Sequence, residues 1–345
     1  MKRILIIRPS SMGDIVMASP MLRILRKAYP EAFISWLSDP AWIDLLRFNP
    51  DLDEVIPWDK ARWKILWRKG RLFGLIREVM RFNRAMRSRH FDLALDAQGL
   101  LRSRILAWLS RARKRVGFES REPGRFLMTR TISRGPDNKR MGSEYDHMMR
   151  ELGIPPSPFV PNLVLSENDM TAARQAIRGA GIRGRYAAIC PFTTRPQKHW
   201  VRERWAALAK AIRRNFGIPV VMLGGPGDRE ESAIIASQAS ADLVDFTGGL
   251  TLAQSGAVIK ESALTIGVDT GLTHLAVTFD RSTISLFGAT CPYLHSENER
   301  ALVLYRNLPC SPCKRRPTCD GDFTCMKSIG VQDVLDAARG LVRPE

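Results

Sequence analysis

Short apolar strands alternate with helical stretches along this chain, and the alternation stops once and then begins again. Lys2–Arg8 reads as a strand, Ile15–Tyr29 carries apolar residues at helical spacing, and Phe33–Leu37 is a second strand. The helical Trp42–Phe48 and the short Val55-Ile56-Pro57 follow. Phe91–Asp96 opens on Ala97-Gln98-Gly99 with a helix through Leu109 behind it, and Val116-Gly117-Phe118 closes the run. Gly153–Pro161 then places four prolines in nine residues and reads as a linker. Beyond it, strands at Tyr186–Pro191, Pro219–Leu223, Leu264–Val268 and Thr283–Phe287 alternate with helices at Arg202–Phe216, Ser232–Ser240 and Leu272–Phe279. A last helix spans Val331–Val342. Such alternation implies parallel βαβ units, and 345 residues exceed one ordinary core. The expectation is an α/β chain of two doubly wound domains, residues 1–160 and 161–345, with ligands at the C-terminal ends of the strands.

A hydrophobic content of 45% is enough for two cores, and no apolar stretch approaches the roughly 20 residues of a membrane-spanning helix. Ile4-Leu5-Ile6-Ile7 is stopped by Arg8-Pro9, too soon for a signal peptide, which argues for the cytoplasm. The formal net charge of +18 favours an acidic partner: nucleic acid, an anionic membrane surface or a phosphorylated substrate. Residues 59–90 mix Arg62, Lys64, Arg68, Arg71, Arg77 and Arg81 with Trp63, Trp67, Phe73 and Phe82. That composition suits a segment meeting anionic headgroups, or equally a solvated helix whose aromatics pack on the domain. The absence of Walker A, His-Glu-x-x-His and Gly-x-Ser-x-Gly patterns disfavours P-loop NTPases, zincins and α/β-hydrolases.

Several strand-to-helix turns carry candidate chemistry. Asp269-Thr270-Gly271-Leu272-Thr273-His274 lies between an apolar strand and a helix, where free amides and the helix dipole favour an anion such as phosphate. An ordinary capped turn has the same residues. Thr193, Thr194 and Lys198, between a strand and the helix at Arg202, make a diphosphate cradle of hydroxyls and one point charge. Gly225-Pro226-Gly227-Asp228 is not a dinucleotide fingerprint, but Asp228 could hydrogen-bond ribose hydroxyls. Asp14, after the first strand, is either a general base or a helix cap. Cys310-x2-Cys313-x5-Cys319-x5-Cys325 opens like a zinc knuckle but lacks a second short pair, so a structural zinc, reduced thiols and a facultative disulfide all remain open. Cys190 and Cys291 read as small core residues.

Five segments in this order resemble the ADP-heptose:lipopolysaccharide heptosyltransferases, glycosyltransferase family 9. They are Ser10-Ser11-Met12-Gly13-Asp14, Asp96-Ala97-Gln98-Gly99-Leu100, Thr193-Thr194-Arg195, Lys198-His199-Trp200 and Val268–Leu275. The likeness runs over nearly the whole chain. It implies a GT-B fold, two Rossmann-like domains facing across a cleft, with the acceptor on the N-terminal domain and the nucleotide sugar on the C-terminal one. The cysteine segment at 310–325 and a final helix that packs back on the first domain would belong to the second. By resemblance Asp14 is the catalytic base, and Thr193, Thr194, Lys198, Asp228, Asp269, Thr270, Gly271 and His274 bind the donor. Ser11, Gly13, Arg62, Lys64 and Gln98 would meet the acceptor.

The implied reaction is an inverting single displacement. It moves heptose from ADP-heptose to the lipopolysaccharide inner core, lipid A with Kdo or a heptosylated core. Transfer would need no cofactor, and the enzyme would sit peripherally on the cytoplasmic face of the inner membrane, against its anionic surface and without a nucleic-acid partner. The alternatives are a family 9-like transferase with another nucleotide sugar or acceptor, and a non-catalytic nucleic-acid-binding protein. The cysteine cluster is similar to the heptosyltransferase II branch, Arg62-Trp63-Lys64 to branch I, and Met141–Tyr145 departs from the usual pattern.

Overall fold

A computed structural model describes residues 1–136, 139–290, 292–296, 298–314 and 316–342, the side chain of Ser240 excepted. Cys291 lies outside the described residues. The chain divides into two compact units, Met1–Asn138 with Gly142–Val164, and Lys139–Met141 with Leu165–Glu345.

Among the described residues each unit holds one six-stranded parallel sheet. The first contains β1 (Arg3–Ile7), β2 (Phe33–Ser38), β3 (Glu54–Pro57), β4 (Leu93–Asp96), β5 (Lys114–Phe118) and β6 (Arg130–Ile132), in the order β3-β2-β1-β4-β5-β6. The second contains β7 (Ala187–Cys190), β8 (Val220–Met222), β9 (Leu243–Asp245), β10 (Leu264–Val268), β11 (Thr283–Phe287) and β12 (Ala301–Tyr305), ordered β12-β11-β10-β7-β8-β9. Counted from its own first strand, each sheet therefore runs 3-2-1-4-5-6, the order of dinucleotide-binding domains. In such a sheet the chain reverses its direction of winding between strands 1 and 4, and the loops leaving those two strands part and open a crevice. Those strands are β1 and β4 in the first unit, aligned so that Ile7 pairs with Asp96. In the second they are β7 and β10, with Cys190 opposite Gly267.

These central strands are continuous apolar runs because helices cover both faces: Ile4–Ile7 and Leu264–Val268 are wholly buried. The stretch expected as one helix over Ile15–Tyr29 is two, Met12–Ala18 and Pro20–Ala28, because Pro20 has no amide to continue the first and starts the second. Trp42–Phe48 is instead a 3₁₀ turn, Pro40–Leu45. The proline-rich stretch is irregular, and Asn162 beyond it is tied to the first unit, its amide donating to Ser19 Oγ at 3.0 Å. The final helix, Val331–Leu341, gives Val334, Leu335 and Ala338 to the core of the second unit. No helix among the described residues is long and apolar enough to cross a membrane.

One glycine decides how tightly β10 meets the helix after it. A Cβ on Gly267 would lie 2.1 Å from Thr273 Oγ1 and 2.9 Å from Cys190 Cβ, so only glycine lets the Gly271–Thr278 helix fold back against the strand.

Candidate active site

Each switch point carries one charged constellation. In the first unit the loop leaving β1 turns into the Met12–Ala18 helix through a capping box, Ser11 as cap and Asp14 three residues on. Asp14 Oδ2 accepts the Ser11 amide at 2.9 Å and the Ser11 hydroxyl at 2.8 Å. The same oxygen lies 2.6 Å from Arg8 Nη2. Arg8 is buried at the end of β1, donates to the Ala97 carbonyl at 2.8 Å and lies under the Tyr145 ring. Burial pushes the Asp14 carboxyl up, but the Arg8 guanidinium and the two Ser11 bonds outweigh it and hold it below the usual carboxylate range. Asp14 is thus a capping residue and an ionised, part-exposed carboxylate at once.

Gln98 is brought to the same loop. Its buried amide donates to the Ser10 carbonyl at 3.1 Å, while Asp96 Oδ1 takes the amides of Gln98 and Gly99 at 3.0 and 2.9 Å. Gln98 Oε1 is buried without a partner. Gly13 is buried in the first helical turn. Arg62 and Lys64 stand apart, on the exposed helix Lys60–Arg68, where Arg62 pairs with Glu78 at 3.0 Å.

In the second unit the loops leaving β7 and β10 converge. Lys198 Nζ lies 2.6 Å from Asp269 Oδ2, and His274 Nε2 lies 3.1 Å from Asp269 Oδ1. Thr290 donates to Asp269 Oδ2, and the Tyr293 hydroxyl meets His274 Nδ1 at 2.8 Å. Asp269 is only 12% exposed and Lys198 15%. Burial alone would raise the Asp269 carboxyl, but the bonds and charges of His274 and Lys198 depress it strongly, so it is ionised at neutral pH. With both oxygens occupied, this carboxylate has the chemistry of a holder that aims Lys198 and His274, not of a phosphate contact. Thr270 caps the Gly271–Thr278 helix with its backbone only, leaving the first amides without a side-chain partner. The Thr193 carbonyl accepts from His199 at 2.8 Å, which shapes the loop. Gln197, next to Lys198, is buried and donates to the Lys314 carbonyl, so the cysteine-bearing segment buttresses the lysine. Asp228 lies after the neighbouring strand β8, with Oδ2 on the Gly225 amide at 2.8 Å.

A structural zinc, one of the three readings open for Cys310, Cys313, Cys319 and Cys325, is not supported: among the described residues no group of three or more His, Cys, Asp or Glu could hold a metal. Cys310 is exposed, whereas Cys325 is buried with its sulfur packed close against Gly288. Arg8, Tyr145, Thr290 and Tyr293 were not singled out from the sequence. The signal for Arg8 was available, since an arginine straight after a buried strand needs an internal counter-charge. The other three meet their partners only through tertiary packing.

Two Rossmann-like units, each with charged loops at its switch point, give a fold of the GT-B class. The sequence profile of glycosyltransferase family 9 (heptosyltransferase) matches residues 79–322. Lipopolysaccharide heptosyltransferase 1 of Pseudomonas aeruginosa PAO1 is 29% identical over 321 residues, covering 92% of this chain and 87% of its own. Among solved structures, a family 9 glycosyl transferase from Veillonella parvula DSM 2008 superposes with a TM-score of 0.82 at 22% identity, over 99% of this chain and 97% of that one. E. coli heptosyltransferase WaaC with ADP-2-deoxy-2-fluoro heptose superposes with a TM-score of 0.73 at 22% identity, over 98% and 99%. The chain belongs to glycosyltransferase family 9.

Proposed function

We propose that this enzyme transfers heptose from ADP-heptose to an inner-core acceptor of lipopolysaccharide by single displacement, with inversion at the anomeric carbon. The observation that carries the reading is the Lys198–Asp269–His274 cluster beside an uncapped helix N-terminus at a switch point. It supplies what a departing diphosphate requires: one oriented cation and free backbone donors. Thr193 and Thr194 add hydroxyls to the same oxygens, and Asp228 takes the ribose. Asp14, ionised at neutral pH as that role requires, removes the proton from the attacking hydroxyl of the acceptor. Ser11, Gly13 and Gln98 shape the loop that presents Asp14, while Arg62 and Lys64 meet phosphates or carboxylates of the acceptor. Residues 1–160 form the acceptor domain and 161–345 the donor domain. The donor assignment is supported by family membership and by relatives named for lipopolysaccharide heptose transfer. Such an acceptor is anchored in a membrane, and in this reading the enzyme works peripherally on the cytoplasmic face of the inner membrane.

Donor choice tests the reading. By calorimetry ADP is expected to bind at least about tenfold more tightly than UDP or GDP, a difference of about 1.4 kcal/mol, and ADP-heptose to be the nucleotide sugar that turns over. Equal binding of UDP, or turnover with a UDP-sugar alone, would move the chain to another donor.

A further inference from the structure

Half of the charge surplus sits in one hairpin. Residues 60–87 hold ten Lys or Arg against one acid, Glu78, a net of +9 in a chain whose total is +18. They form the helices Lys60–Arg68 and Leu72–Arg87. One side is tied to the first unit: Trp63 packs edge-on against Trp58 and Phe82, with ring centroids 6.0 and 5.5 Å apart, and Met86 is buried in the core. The other side is a second apolar surface facing solvent. On the longer helix Phe73 is 92% exposed, Met80 58% and Ile76 54%, and Trp67 on the shorter helix is separately 66% exposed. Phe73, Ile76 and Met80 are three and four residues apart and so form one stripe. Arg77, Arg81 and Arg84 border that stripe and line a shallow groove with it.

A helix needs only one apolar face to hold its fold, and a contiguous exposed stripe marks an interaction site. A rim of arginines selects an anionic partner, and Ile76 and Met80 offer nothing to stacked bases but match hydrocarbon. Arginine stems can lie along that hydrocarbon while their guanidinium groups stay among headgroup phosphates. We propose that this hairpin docks the enzyme on an anionic phospholipid bilayer, with Trp67, Leu72, Phe73, Ile76 and Met80 entering the interface and the arginines engaging headgroups. This rests on the membrane-borne acceptor of the preceding reading and adds the surface that reaches it.

Flotation of the full chain with phosphatidylethanolamine–phosphatidylglycerol vesicles tests the docking. The wild type is expected to float with them and to stay down with phosphatidylcholine vesicles. The double variant Trp67→Ser/Phe73→Ser should bind the anionic vesicles on the order of tenfold or more weakly. Neither side chain is buried, so the double variant should unfold at the wild-type denaturant concentration and transfer heptose at the wild-type rate to a soluble acceptor lacking acyl chains. Vesicle binding by the double variant equal to that of the wild type would overturn insertion. Equal wild-type binding to neutral vesicles would overturn the anionic preference, and a solution dimer that buries the stripe would replace the bilayer as its occupant. A wild type that floats but transfers no heptose to the soluble acceptor would instead overturn the functional reading and leave the docking intact.

Discussion

Asp14→Asn is expected to lower heptose transfer by about 10²–10⁴-fold, the usual contribution of a general base, with ADP affinity unchanged. Asparagine has the shape of aspartate and an oxygen to accept from Ser11, so the cap should persist. What disappears is a group able to take a proton and, with it, the counter-charge of buried Arg8. The rate is therefore compared at a temperature where denaturant unfolding shows the variant still folded. The donor contacts proposed above all lie in the second unit, so ADP binding should not register the change. Titration supplies a second readout. Asp14 sits below the usual carboxylate range in the folded chain, so the base is ionised from mildly acid pH upward and transfer loses it only as pH falls through that depressed value. Arg8 is the strongest of the lowering influences, opposed by burial. In Arg8→Met the burial effect remains and the acid limb of kcat should move up toward neutral pH. An acid limb that stays in place would separate Arg8 from the control of the base.

Asp269→Asn should have the largest effect on stability, about 3–5 kcal/mol, the range for breaking a buried ion pair from one side. Lys198 would remain as a part-buried cation without its counter-charge, and the single oxygen of asparagine could serve His274 or Thr290 but not both. The companion variant Lys198→Met/Asp269→Asn should regain part of the loss, because no charge is then left buried. The sign with pH follows from the depressed folded value of Asp269. Its contribution is fully present above the unfolded carboxylate value of about 3.9 and is lost as pH falls through the folded one. Denaturant unfolding of the second unit should therefore show an acid-side decline in the wild type that is flatter in Asp269→Asn. A variant as stable as the wild type at neutral pH would mean that the cluster contributes no net stabilisation.

The legible parts of the fold were those whose chemistry is local. β1, β4, β7 and β10 are central and buried, so they appear as unbroken apolar runs. β6, β9 and β12 went unseen, and each is an edge strand; Arg130-Thr131-Ile132 and Leu243-Val244-Asp245 are too short and too polar to announce themselves. The helices Ser143–Glu151, Glu167–Gly179 and Leu252–Glu261 also escaped, although Ser166 and Thr251 cap the last two in the ordinary way. At the site, Asp14, Lys198, Asp269 and His274 stood out because each closely follows a central strand. That Asp269 points both its oxygens at protein groups was not readable, since Thr290 is 21 residues away and Lys198 is 71. The cysteine spacing left a metal open as one of three readings because sequence distance says nothing of burial: Cys310 is exposed and Cys325 buried.

The most direct measurement is the anomeric configuration of the product, read by NMR after incubating the enzyme with ADP-heptose and a soluble inner-core acceptor. A single displacement driven by Asp14 gives the configuration opposite to that of the donor. Retention of the donor configuration would contradict it, because a second displacement would then need a nucleophile that this account does not contain.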